Sequence, residues 1–188
     1  MSIPLITTSR WDVEDGHTLE GYLRTGGYEG LRRALEMTPD QVHEEVKKAS
    51  LLGRGGAGFP AGIKWGFLPS DVWPRYLVVN GDESEPGTYK DRLLIERDPH
   101  QLIEGCVITC FALGLSQCFL YVRGEMAHGQ ERVASALNEA YDHGYVGRNI
   151  LGTEFSVDVI LHWGAGAYIV GEETALIESL EGNRGMPR

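Results

Sequence analysis

Cys118-Phe119-Leu120-Tyr121-Val122-Arg123 is apolar at nearly every position and rich in aromatic and β-branched side chains. Such a run predicts a strand covered on both faces rather than one alternating between core and water. Tyr76-Leu77-Val78-Val79-Asn80 lies upstream and reads the same way, and Val157-Asp158-Val159-Ile160-Leu161-His162 lies downstream. Helical stretches separate them, from about Pro99 to Leu115 and from about Glu125 to His143, and a third helix should open near Gly171. Strand and helix in strict alternation predict an α/β fold, a Rossmann-like three-layer parallel sheet with right-handed crossover helices. Residues 1 to 50 read as a helical lead and 51 to 188 as the α/β domain. Within the lead, Thr38-Pro39-Asp40-Gln41 has the form of a capping box, which predicts a helix to about Ser50 with Val42 and Val46 on its inner face.

The chain has 188 residues, with 17 Lys and Arg against 27 Asp and Glu, a formal net charge of −10. That balance excludes a nucleic-acid duplex as the main partner, because phosphate binding draws on a basic surface. Apolar residues at 42% and charged residues at 23% are those of a folded domain. No apolar run is long enough to span a membrane, and Met1-Ser2-Ile3-Pro4 lacks the plan of a signal peptide, so a reducing, cytosol-like compartment is expected. Cys106, Cys110 and Cys118 have no C-x-x-C spacing and fall in apolar stretches, so they read as core residues. The 6 His show no ligand spacing, and no metal site is expected.

Ligands of parallel sheets bind beyond the carboxyl ends of the strands. The three loops there begin Asn80-Gly81-Asp82-Glu83-Ser84-Glu85, Gly124-Glu125, and Gly164-Ala165-Gly166-Ala167-Tyr168, the last running on to Gly171-Glu172-Glu173-Thr174. Before the first strand, five of the 25 glycines fall in Gly53-Arg54-Gly55-Gly56-Ala57-Gly58-Phe59-Pro60-Ala61-Gly62. Gly53-x-Gly55-x-x-Gly58 matches the dinucleotide fingerprint in letters, but a predicted helix precedes it and Phe59-Pro60 follows, so the strand-turn-helix context fails. An ordinary Rossmann dehydrogenase is therefore disfavoured. The loop still exposes backbone N–H groups to a phosphate-bearing ligand, with Arg54 and Lys64 as cations and Phe59, Trp65 and Phe67 as stacking faces. A Gly-rich connector carrying buried aromatics is the competing reading. The carboxylates after the first strand suit ribose hydroxyls and repel an extra phosphate, which favours NAD over NADP.

Gly53 to Trp65, Asn80 to Gly87, Leu120 to Glu125 and Gly164 to Thr174, taken in order, resemble the flavin-binding 51 kDa subunit of NADH:quinone oxidoreductase, complex I. The same module occurs in diaphorase subunits of NAD-reducing hydrogenases and of NAD-dependent formate dehydrogenases. The resemblance implies a noncovalent FMN that takes hydride from NADH and passes electrons singly to iron-sulfur clusters. It assigns Gly53, Arg54, Gly55, Gly56 and Lys64 to the lining of FMN and nucleotide. Asn80, Asp82, Glu83 and Ser84 would hydrogen-bond the flavin, with Tyr168, Gly171 and Glu172 in further contact with it. NADH would meet Gly56, the rings of Phe59 and Phe67 on its adenine, Glu85 at the carboxamide and Glu173 at a ribose. No side chain is assigned as nucleophile or general base, since the hydride passes between cofactors.

The resemblance also implies partners: other peripheral-arm subunits, above all a [2Fe-2S] thioredoxin-like one, on the cytoplasmic face of the inner membrane without insertion into it. It covers only the family's N-terminal part. A further flavin phosphate contact, another strand, a ubiquitin-like domain and the Cys-rich domain that holds a [4Fe-4S] cluster fall beyond it, so weak FMN binding is expected of this chain alone. A non-catalytic nucleotide-binding or assembly module is the alternative from a different class.

Overall fold

The computed structural model describes residues 5 to 188; Met1 to Pro4, read above for the lack of a signal peptide, lie outside the described residues. The lead contains α1 (Leu19–Arg24), α2 (Glu29–Leu35) and α3 (Pro39–Ala49), and α4 (Ala61–Trp65) follows the glycine loop. The sheet comprises β1 (Leu77–Gly81), β2 (Gln117–Val122) and β3 (Asp158–Trp163), all parallel, in the spatial order β1-β2-β3. Helices α5 (Lys90–Arg97) and α6 (Pro99–Leu113) join β1 to β2, α7 (Ala127–Asp142) joins β2 to β3, and α8 (Glu173–Leu180) comes last. Each strand lies within one residue of its sequence-based position. The expected helix at Gly171 starts two residues later, after a 3-10 turn at Tyr168–Gly171.

The capping box forms as the sequence predicts. Thr38 Oγ1 accepts from Gln41 N at 3.3 Å, Gln41 Oε1 accepts from Thr38 N at 2.8 Å, and Pro39 occupies the first helical position. Of the two valines assigned to the inner face, Val42 is buried and Val46 is half-buried.

Crossovers of one hand that step in one direction, β1 to β2 to β3, drop their helices on one side of the sheet. Leu120 and Val122 of β2 and Val159 of β3 accordingly share a single core with Ile103, Cys106, Val107 and Cys110 of α6 and Val133, Ala136 and Leu137 of α7. The opposite face is covered only toward its carboxyl end, where Tyr121 packs with Val170 and Leu176 and its hydroxyl meets Ser179 Oγ at 3.0 Å. Toward the amino end Tyr76, Val78 and Ile160 are exposed. The near-continuous apolar runs therefore overstate the cover: it is complete on one face and partial on the other.

Leu19, Tyr22, Tyr28 and Leu31 of the lead join the same core as the sheet. Glu104 of α6 anchors them: its carboxylate is buried and accepts from Tyr28 N at 3.0 Å, from Leu31 N at 2.8 Å and from the Tyr22 hydroxyl. His100, one turn earlier on α6, bonds the Tyr28 hydroxyl at 3.0 Å and Glu139 of α7 at 2.9 Å. Arg10 closes the set on Asp98 at 2.8 Å. All three cysteines are buried and free. Contact with Cys118 and burial push the Cys110 thiol up, away from the reactive thiolate.

Candidate functional site

A cleft of about 640 Å³ opens at the carboxyl ends of β1 and β3, a volume within the range of small-molecule and cofactor sites. Three walls form it. The glycine loop contributes Arg54, Gly55 and Gly56; the β1–α5 loop contributes Asn80, Asp82, Glu83, Ser84, Glu85 and Thr88; the turn after β3 contributes Tyr168, Ile169, Gly171 and Glu172. Lys90 and Asp91, in the first turn of α5, complete the lining.

The glycine loop is pinned at its base, where Gly53 N donates to Phe59 O and Ala61 N to Leu51 O, both at 2.8 Å. Between these pins Gly56 and Gly58 take φ of +118° and +64°, conformations that a Cβ would strain, so the tip can turn its amides toward a ligand. The segment before this loop is helix α3 and not a strand, which agrees with the failure of the dinucleotide-fingerprint context.

The wall after β1 is held by its own side chains. Asn80 Oδ1 accepts from Asp82 N at 3.0 Å, while Asn80 Nδ2 donates to Gly171 O at 2.9 Å and so ties the β1 loop to the turn before α8. Ser84 Oγ donates to Asp82 Oδ2 at 2.9 Å. Asp82 is 9% exposed, and its other oxygen, Oδ1, is fully buried without a partner. Burial holds this carboxyl above the usual carboxylate range, against the opposing effects of the Ser84 bond and of Arg123. A buried acceptor with no donor is costly, and here it lies in the lining of the cleft. Across the mouth the Tyr168 hydroxyl donates to Glu85, which pushes the tyrosine up from its ordinary value.

Other predicted site residues stand elsewhere or have other duties. Glu83 borders the cleft, but its carboxylate is 3% exposed and is taken up by the amides of Asp91 and Arg92 at 2.9 and 3.1 Å, so it caps α5. Glu172 caps α8 in the same way: it accepts from Thr174 Oγ1 at 2.6 Å and Ala175 N at 2.9 Å, and these bonds, the threonine's first, hold its carboxyl low. Gly53, Lys64 and Glu173 lie outside the lining. Phe59 and Phe67 also lie outside it, as an exposed aromatic pair with ring centroids 5.9 Å apart. Sequence reasoning missed Thr88, Lys90, Asp91 and Ile169. The available signal for Lys90 and Asp91 was the polar start of the Lys90–Arg97 helix so close after the acidic loop.

The donor set fits FMN. Buried Asp82 Oδ1 matches an N–H donor such as a flavin imide, the glycine-loop amides and Arg54 match a phosphate, and the cleft has room for the ring.

Residues 46 to 188 match the family model described as the Nuo51 FMN-binding domain. The chain belongs to that family. Among curated members it is 54% identical over 94% of its length to an F-type NADH-quinone oxidoreductase subunit of Rhizobium meliloti (strain 1021), and 52% identical over 92% to the F-type subunit of Aquifex aeolicus (strain VF5). It spans 42% and 40% of those two relatives. Among solved structures, an NAD+-reducing [NiFe]-hydrogenase in the H2-reduced state superposes with a TM-score of 0.66 at 38% identity, over 92% of this chain and 30% of that one. Among the described residues no helix is long and apolar enough to cross a membrane, and no group of three or more His, Cys, Asp or Glu is placed to hold a metal ion.

Proposed function

We propose that this Nuo51 FMN-binding chain holds FMN and NADH within an electron-input flavoprotein subunit, where hydride passes from NADH to the flavin and electrons leave singly for iron-sulfur clusters of a quinone-reducing complex. The observation that carries the reading is the buried, unpartnered Asp82 Oδ1 in a cleft whose far wall is the Arg54–Gly56 loop. Bound FMN supplies the ability to take two electrons together and release them one at a time. The chain's own share is placement. Asp82, Asn80 and Ser84 fix the polar edge of the ring, and Arg54 with Gly53, Gly55 and Gly56 faces the phosphate. Lys64 adds positive charge nearby, while Tyr168, Gly171 and Glu172 bound the opposite wall. Glu85 orients the nicotinamide amide, Phe59 and Phe67 offer faces to the adenine, and Glu173 takes a ribose hydroxyl. The carboxylates about the cleft oppose a 2′-phosphate.

The relatives named as NADH-quinone oxidoreductase subunits support this reading. In it the protein works with other subunits of a peripheral arm, including a [2Fe-2S] thioredoxin-like one, on the cytoplasmic face of the inner membrane. A diaphorase role in an NAD-linked hydrogenase is the second reading, favoured by the structural likeness to an NAD+-reducing [NiFe]-hydrogenase. The test is steady-state reduction of ferricyanide by the FMN-loaded whole protein with NADH and with NADPH. A strong preference for NADH is expected; equal rates would remove the carboxylate argument, and an absence of bound flavin would remove the function.

A further inference from the structure

Leu120 to Glu125 stands out in the sequence, yet Arg123 and Glu125 have no part in the site as described. Arg123 Nη1 donates to the main-chain carbonyl of Glu83 at 2.9 Å, and its Nε and Nη2 reach the two oxygens of Glu125 at 2.9 and 3.1 Å. The guanidinium thus holds the β1 loop at its midpoint and is itself held in a bidentate pair. Gly124, between the two, sits so close to the β3 turn that an added Cβ would lie 2.3 Å from Gly164 O. The Glu125 carboxylate lies only 3.0 Å from where a Cβ of Gly166 would be. The turn after β2 therefore touches both neighbouring turns at the carboxyl edge.

We propose that Arg123, anchored by Glu125, is a positioning residue for the cofactor cleft: it fixes the Asp82–Glu85 wall relative to the Gly164–Gly166 wall, and so sets the direction in which the flavin-binding groups point. The toward-flavin part rests on the function proposed above; the bracing does not. Arg123 is also the cation whose field favours the ionised form of Asp82, while Glu125 opposes it. It acts on the ligand through the loop and never by touching it.

Two measurements on the whole protein separate the brace from the function. In hydrogen exchange without added cofactor, Arg123→Met removes the donors at similar length, and residues 82–88 are expected to exchange about tenfold faster while α6 is unchanged, the scale of one lost charge-assisted bond. In flavin titration the same variant is expected to bind FMN about tenfold more weakly, with an altered visible circular dichroism of the bound flavin. Arg123→Lys, which keeps one charged donor, should recover most of both effects, and Glu125→Gln should give a smaller change in the same segment. Unchanged exchange at 82–88 overturns the proposal. So does faster exchange spread equally over α6, or a lysine variant no better than the methionine. Should Arg123→Met fail to fold, the comparison of Arg123→Lys and Glu125→Gln with the parent decides the matter by the same criterion. Localised exchange in a protein that takes up no FMN keeps the brace and rejects the function.

Discussion

Glu104 and Asp82 are two nearly buried carboxylates, 8% and 9% exposed, in opposite parts of one molecule. Glu104, between the lead and α6, accepts from two backbone amides and a tyrosine hydroxyl. Asp82, at the end of β1, accepts from Ser84 on one oxygen and leaves the other without a partner. The same chemical group completes a scaffold in one place and remains open in the other. Stability is concentrated where polar groups satisfy one another, and binding capacity where the fold leaves an acceptor unmatched.

The sharpest way to break the contrast is Glu104→Ala. It strands two buried amides and a hydroxyl, and should cost about 3 kcal/mol or more in chemical denaturation, with flavin affinity per folded molecule unchanged. Asp82→Asn should act the other way round: FMN binding falls about tenfold or more by titration, while the cofactor-free protein is no less stable than the parent. The pH dependence has a definite sign. Burial raises the Asp82 pKa in the folded state above its unfolded value near 3.8, so the protonated group favours folding, and that contribution is lost as pH rises through the folded pKa. The cofactor-free parent should therefore lose stability relative to Asp82→Asn as pH climbs from about 4, read from paired thermal melts. Smallest is Thr38→Ala, which removes the α3 cap and should cost about 1 kcal/mol, leaving the cleft untouched.

The two regions also differed in how far the sequence could reach. β1, β2 and β3 were readable because apolar runs between turn signals are local, and α3 because its cap is four residues long. α5 escaped, since Asp98-Pro99 reads as a helix start and masks the shorter Lys90–Arg97 helix before it. At the cleft, Asn80, Asp82, Ser84, Glu85 and Tyr168 could be assigned from their motifs, and they do converge. Glu83 and Glu172 were assigned with them, yet their carboxylates cap helices. For Glu83, acceptance from amides eight and nine residues on depends on where α5 begins, which spacing does not encode. Lys64 and Phe59 stand outside the lining because the glycine loop closes on itself through Gly53 and Phe59.

The buried cysteines of α6 and β2 give the molecule a label-free gauge of its own opening. Cys106, Cys110 and Cys118 are at most 3% exposed and sit where α6 meets the sheet, so a thiol reagent reaches them only when that contact parts. The rate of modification is then a clock for that separation. A ligand in the cleft slows the clock only to the extent that parting α6 from the sheet also undoes the cleft. Run with and without flavin, it measures in time units how firmly the scaffold and the site are coupled.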